Sequence, residues 1–317
     1  MKLKIHACVL NLILFASPAL AQTSSPTPAI ATPPPVPPDL EVTSGIETGK
    51  GGDTTLHAEV VRRKNQTPTR AVIYVHGGGW AGGDYISDAA RAYFLAQAGY
   101  LVASIEYRLS TAAKWPAQIE DCKLGVRWLR ANAKQYHIDP DHIGIYGHSA
   151  GGNLVACMGT MEEPRFDGHG GYDGVSSKVQ AVLDAAGPVD FRAGNFSDGS
   201  QYVSASQKDK DTGMLLLLFG APFAKIPDTY MDASPISHVR TGDPPFFIAH
   251  GEKDPIVSTA QATTFAAALE KVGVPVQLLI VKNGNHGLGP LPQGLPPDPD
   301  AKGFRVMAVD FFNKYLN

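Results

Sequence analysis

The stretch from Ile143 to Val155, IGIYGHSAGGNLV, leaves the chain few options: an apolar run, a turn too tight for ordinary residues, and a second apolar run. It reads as a strand, a sharp bend with Ser149 at its apex, and a helix. In a Gly-x-Ser-x-Gly bend the serine backbone is strained, and Gly147 and Gly151 leave room where a Cβ would strike the neighbouring strand or helix. The hydroxyl is pushed into the open. The following helix aims its free N–H groups and positive dipole end at the same spot, so the Ala150 amide can donate to an oxyanion formed there. A glycine- and serine-rich loop is the competing reading. The apolar segments on both sides argue against it.

The same rhythm continues through the chain. Val60 and Val61 belong to a weak first strand, and Ala71–Val75, Leu101–Ile105, Val179–Leu183, Phe246–Ala249 and Val276–Val281 are short apolar runs suited to a sheet covered on both faces. Between them lie helical spacings. Ile119, Cys122, Val126, Leu129, Ala133 and Tyr136 form one stripe, stopped by Asp139-Pro140. Ala262, Phe265, Ala266, Leu269 and Val272 form another, closed by Gly273 and Pro275, and Phe304, Met307, Phe311 and Tyr315 form a third. Strand and helix in alternation predict a mostly parallel sheet with helices on both faces.

The strand Ala71–Val75 runs into His76-Gly-Gly-Gly-Trp80. Consecutive glycines let backbone N–H groups converge on one point, so the amides of Gly78 and Gly79 can complete an oxyanion hole with that of Ala150. Gly77 to Gly82 also matches G-x-G-x-x-G, with Glu106 at the spacing of a ribose-binding acid. Gly83-Asp84-Tyr85 intervenes before any helix and sets a carboxylate where a pyrophosphate would lie, which disfavours a nucleotide. A P-loop is excluded by the missing Gly-Lys-Ser/Thr.

A serine hydroxyl needs a base. In an open α/β sheet the working groups follow the carboxyl ends of strands. Asp254 directly follows Phe246–Ala249, and His286 directly follows Val276–Val281. The order Ser149, Asp254, His286 is that of one known triad arrangement, which makes His286 the expected base and Asp254 its orienting acid. Glu252 is the rival acid. His76 is expected to brace the glycine loop and His250 to support the acid, while His148 fills the variable slot of the bend. His137, His142 and His238 read as structural or solvent-facing. Asp167 to Asp173 lacks the alternating carboxylates of a calcium loop, and no metal is expected.

Composition sets the outer limits. With 317 residues and ordinary apolar and charged fractions, the chain can bury one large α/β domain. A net charge of −3 offers no basic face for nucleic acid. Lys2 and Lys4, an apolar run from Ile5 to Phe15 and a small-x-small end at Ala21 read as a cleaved export signal, residues 1–21, implying a periplasmic or secreted protein. That run is too short to span a bilayer, so no integral membrane association is expected. Residues 22–52, with Pro33-Pro-Pro-Val-Pro-Pro38, are read as a tether and 53–317 as the domain. Segments 160–177 and 191–240, between core strands, are expected to shape a pocket or small cap; the helix Met214–Phe219 is expected to pack on the core. Cys122 and Cys157 are expected as buried free thiols.

Taken together, HGGGW, Glu106-Tyr-Arg-Leu109, Gly147-His-Ser-Ala-Gly-Gly152, Gly187-Pro-Val-Asp-Phe191 and His250-Gly-Glu-Lys-Asp-Pro-Ile-Val257 resemble the serine esterases of the α/β-hydrolase superfamily. The hormone-sensitive-lipase-like group is the nearest in look, with bacterial feruloyl and acetylxylan esterases within it. The resemblance covers residue 55 to the end. It implies the α/β-hydrolase fold, a nucleophile at Ser149, an acid at Asp254, a base at His286 and oxyanion donors at Gly78, Gly79 and Ala150. It implies no cofactor, and a small ester or acylated carbohydrate as substrate; a lipase, amidase or peptidase of the same fold is the alternative. His148 stands where the related bend usually carries an acid, and Glu106 where the related motif has Asp.

Overall fold

Short β-branched runs become strands because each is covered on both faces, and the computed structural model shows how. It describes residues 35–161, 164–192, 196–197, 201 and 204–317. The expected leader and the first part of the tether lie outside these residues. The strands are β1 Leu40–Gly51, β2 Thr54–Arg63, β3 Ala71–Val75, β4 Leu101–Ile105, β5 Ile143–His148, β6 Ala181–Ala185, β7 Phe246–Gly251 and β8 Val276–Val281. They form one sheet in the order β1-β2-β4-β3-β5-β6-β7-β8. The β1–β2 and β2–β4 pairs are antiparallel and every later pair is parallel. Helices are α1 Tyr93–Gln97, α2 Ala117–Ala131, α3 Ala133–Tyr136, α4 Ala150–Thr160, α5 Ala205–Phe219, α6 Pro227–Asp232, α7 Thr259–Lys271 and α8 Ala301–Tyr315. This is the α/β-hydrolase arrangement.

The period-two alternation of the strands divides the core in two. Ile73, Val75, Ile145, Val182, Phe246 and Ile248 pack under α2, α4 and α7. Val72, Tyr74, Tyr146, Leu183, Phe247 and Ala249 pack under α1 and α8. Each buried Val, Ile, Leu or Phe among them contributes about 1.5 to 3 kcal/mol, so both layers hold the sheet firmly. Gly144 lacks a side chain where Phe312 of α8 crosses β5; a Cβ there would overlap the ring. The chain passes from β3 outward to β4 and then back across β3 to β5, so the strand order reverses there. Loops leaving β3 and β5 therefore diverge and open a crevice at their carboxyl ends.

Three sequence expectations shift. Residues 40–51, assigned to the tether, form β1: its side chains are mostly exposed or half-buried, so an edge strand here carries no apolar run to betray it. Strand β6 begins at Ala181 rather than Val179, because pairing with β5 starts at Gly144 opposite Ala181. The stripe from Ile119 to Tyr136 is two helices, divided at Asn132, whose side-chain amide donates to the Trp128 carbonyl (2.8 Å) and draws the last turn out of line.

Asp184, at the end of β6, ties the sheet to the bend. It is buried, and its Oδ1 accepts from the Gly187 N–H (2.9 Å) while filling the space over Gly152. Burial pushes its carboxyl up to about 6, against the opposing pull of His250 and the Gly187 hydrogen bond. Between pH 4 and 6 the unfolded carboxyl ionises while the folded one holds its proton, so this group's stabilisation is present at low pH and lost as pH rises through about 6. A shift of about two units is worth about 3 kcal/mol. Asp184→Asn keeps the acceptor without the charge. Thermal unfolding is expected to show it gaining stability over the parent by about 2 kcal/mol more at pH 8 than at pH 4; an equal difference at both values would contradict this.

Candidate active site

At the end of β5 the backbone reverses within one residue. Ser149 has φ 58° and ψ −121°, a conformation L-residues rarely adopt, and its N–H donates to the Ala185 carbonyl (2.8 Å). Such strain persists only where neighbours enforce it. A Cβ on Gly147 would overlap the Gly151 carbonyl, and one on Gly151 would overlap the Val75 carbonyl of β3. Both glycines are thus steric necessities, one toward the helix and one toward the strand. Helix α4 starts at Ala150 and is buried along its whole length. Its N-terminus points its unpaired amides at the serine.

Two other strand ends converge on this point. Asp254 follows β7 and His286 follows β8, 32 residues apart in the chain. His286 Nδ1 lies 2.7 Å from Asp254 Oδ2, and His286 Nε2 lies 2.8 Å from Ser149 Oγ. The acid is saturated with donors. Its Oδ1 accepts from the N–H groups of Ile256 (2.8 Å) and Val257 (3.0 Å), and His250 Nε2 is 3.1 Å from Oδ2. Burial alone would raise this carboxyl, but the hydrogen bonds and charges of His250 and His286 outweigh it and hold it well below the usual range. Asp254 is therefore an anion, able to fix His286 with Nδ1 protonated and Nε2 free to accept the Ser149 proton.

The loop after β3 faces the same serine. Gly78, Gly79 and Trp80 have φ of 113°, 60° and 58°. The Gly78 carbonyl accepts from the N–H groups of Ala81 (3.2 Å) and Gly82 (3.0 Å), so the Gly79 N–H of the same planar peptide points the opposite way. Gly78, Gly79, Ser149 and Ala150 line that cavity together. His76 braces the loop as expected: it is buried, its Nδ1 lies 2.8 Å from the Gly77 carbonyl oxygen, and its ring stacks on Tyr107 at 4.2 Å. A Cβ on Gly78 would overlap the Gly82 carbonyl and force the loop to shift. Gly78→Ala is expected to lower kcat about 100- to 1,000-fold, the cost of one misplaced oxyanion donor, with little change in KM, measured by steady-state hydrolysis of a nitrophenyl ester.

Several contributors had weak or no sequence signals. His148 Nε2 donates to the His286 carbonyl oxygen (2.8 Å), and the two rings lie 5.0 Å apart. Burial first, then the charges of Arg91 and His286, depress His148 to about 3, so it stays a neutral donor tying the bend to the histidine loop. Glu252, the rival acid, accepts from the Asn283 N–H (2.9 Å), and Lys253 Nζ donates to the Asn283 side chain (2.9 Å); both brace that loop instead. Asp88 accepts from Tyr74 Oη (2.8 Å) and from the Gly77 N–H (3.3 Å), anchoring the glycine loop from below. Nothing in its local sequence marks it out.

The cavity over Ser149 measures about 750 Å³. Trp80, Phe196, Met214, Leu217, Ile256 and Val257 give it an apolar wall, while Ser87, Asp88, Arg91 and Lys210 give a polar one. Of the two segments expected to shape it, 191–240 does so through Phe196 and α5. None of the described residues of 160–177 lines it; that loop lies on α2 and β1, where Lys123 Nζ meets Asp167 (3.0 Å) and Lys50 N–H meets the Gly170 carbonyl (3.1 Å). Helix α5 divides its faces: Leu215 and Leu218 are buried in the core, whereas Met214 and Leu217 face the cavity.

The nucleotide reading meets a local obstacle. Asp84 Oδ1 accepts from the N–H groups of Ile86 and Ser87 (both 2.9 Å), the amides a phosphate would need, and Glu106 is held by His57 (2.9 Å). Cys122 and Cys157 are free and buried, and burial pushes both thiols well up. Among the described residues no helix is long and apolar enough to cross a membrane.

The BD-FAE family model matches residues 60–269. The chain belongs to the BD-FAE family. The esterase resemblance read from the motifs is thus shown at the level of the family, over residues 60–269. The BD-FAE chain is 32% identical over 256 residues to esterase LipQ of Mycobacterium tuberculosis, covering 77% of this chain and 56% of LipQ. It therefore spans little more than half the length of that relative. Carboxylesterase NlhH of the same organism is 29% identical over 290 residues, covering 88% of this chain and 85% of NlhH. A solved truncated form of a carbohydrate esterase from gut microbiota superposes with a TM-score of 0.73 at 29% identity, covering 87% of this chain and 96% of that one.

Proposed function

We propose that this BD-FAE chain is an exported serine carboxylesterase that removes acetyl or feruloyl groups from plant polysaccharide. The observation that carries the ester chemistry is the unbroken relay from Asp254 through His286 to Ser149, at 2.7 and 2.8 Å, on a strained bend beside free amides. His286 Nε2 takes the Ser149 proton as Oγ bonds to the ester carbonyl carbon; the amides of Gly78, Gly79 and Ala150 receive the negative charge on the former carbonyl oxygen. The tetrahedral adduct collapses, its C–O bond to the alcohol breaks, and His286 returns the proton to the leaving oxygen. Water, deprotonated by His286, then cleaves the acyl-enzyme and restores the serine. Asp254 stays ionised throughout and stabilises the imidazolium.

The carbohydrate side of the reading draws support from the carbohydrate esterase among the structural relatives and from a cavity wider than an acetyl group requires. Export rests on residues 1–21, with cleavage after Ala21. A hydrolysis screen over acetylated xylan, methyl ferulate and nitrophenyl esters of increasing chain length tests the substrate. Stoichiometric labelling of Ser149 by a fluorophosphonate tests the nucleophile. Hydrolysis of amides or long-chain acyl esters in preference to acetylated xylan, methyl ferulate and short-chain esters would replace the reading with that of an amidase or lipase. Absence of both labelling and turnover would end it.

A further inference from the structure

Resting on the ester-hydrolase reading and extending it, we propose that Arg91, seconded by Lys210, forms a subsite for a carboxylate on the alcohol part of the substrate, so that the preferred ester is one borne by a uronic acid unit. The cavity's polar wall contains two cations, Arg91 and Lys210, and one carboxylate, Asp88, on a chain whose net charge is −3. That carboxylate is already engaged. Its Oδ2 holds Tyr74 Oη and the Gly77 N–H, and its Oδ1 accepts from Arg91 Nε (2.9 Å). Arg91 is thus fixed by one nitrogen, and its two terminal nitrogens have no hydrogen-bond partner among the described residues. A guanidinium anchored by Nε, with its outer fork free in a cavity, is preorganised for bidentate capture of a planar carboxylate. Little side-chain entropy remains to be lost on binding.

The acyl groups of the proposed substrates, acetyl and feruloyl, carry no free carboxylate, so the fork is assigned to the alcohol. His286 Nε2 must hand its proton to the departing oxygen, so the alcohol leaves past that ring. His148, which lines the same cavity as Arg91, lies against His286, with ring centroids 5.0 Å apart. In the apolar wall, the Met214 side chain closes over Gly79. Lys210 lies one turn before Met214 on α5 and is exposed at the same cavity, a second positive charge for steering.

The experiment compares two matched esters, an acetylated methyl glucuronoside and the same acetyl ester of methyl glucoside, in wild type and Arg91→Gln. The wild type is expected to favour the acid by about tenfold or more in kcat/KM, mainly through KM, with the preference shrinking as salt rises from about 20 to 300 mM. Arg91→Gln is expected to bring that ratio close to one. A second measurement avoids the variant: free methyl glucuronoside should inhibit nitrophenyl acetate hydrolysis by the wild type at a concentration about tenfold below methyl glucoside. Equal inhibition by the two sugars, or an acid preference retained in Arg91→Gln, overturns the subsite while leaving the esterase intact. If the wild type hydrolyses no ester at all, the ester reading fails and takes the subsite with it.

Discussion

Ser149→Ala is expected to fold as the parent does and to lose about 10⁶ in kcat, the scale of removing a triad nucleophile. The folded state survives because the substitution keeps the Cβ and the strained backbone, with φ 58°, that the surrounding glycines already accommodate. Only the Oγ is lost, and its sole described partner is His286 Nε2. Residual turnover of about 10³ over water should persist from the amides and binding alone. Thermal unfolding and nitrophenyl acetate hydrolysis on the same preparation check both halves. Turnover within tenfold of the parent would refute the assignment of the nucleophile.

The second large effect is at the acid. Asp254→Asn is expected to lower kcat by about 10⁴, because a side-chain amide presents an NH₂ where only acceptors are tolerated. Four donors surround this carboxylate: the N–H groups of Ile256 and Val257 on Oδ1, and His286 and His250 on Oδ2. Whichever way the Asn is turned, its NH₂ faces donors. If it faces His286, the imidazole must flip its tautomer and Nε2 can no longer accept the serine proton. If it faces the backbone, two buried N–H groups lose their acceptor, at about 1 to 3 kcal/mol each. The variant should therefore lose stability as well as rate, while KM changes little. Replacing Glu252 by Gln should leave the rate within about tenfold, since Glu252 acts on the Asn283 backbone and not on the imidazole.

The structure brings together the side chains that the sequence singles out, and adds braces such as Asp88 that the sequence does not mark. Ser149, Asp254 and His286 each sit just past an apolar run, and that local signal survives without any coordinates. Asp88 carries no such signal; its role depends on a helical turn folding back beneath the β3 loop to meet Tyr74 and Gly77. His148 was visible as a departure from the usual acid, but its hydrogen bond to the His286 carbonyl joins residues 138 positions apart. In the fold, the fully buried strands were plain because both faces are apolar. Strand β1 was not, since an edge strand with one wet face is indistinguishable in composition from a polar linker.

The two-sided character of α5 bears on how such an enzyme changes over time. Leu215 and Leu218 hold the helix to the protein, while Met214, Leu217 and the side-chain-free Gly213, which has open space before it, border the cavity. Mutations on the second face can alter which molecules are accepted without loosening the anchor on the first. Diversification of the cavity can proceed there by single steps, each tolerated by the scaffold before it is useful.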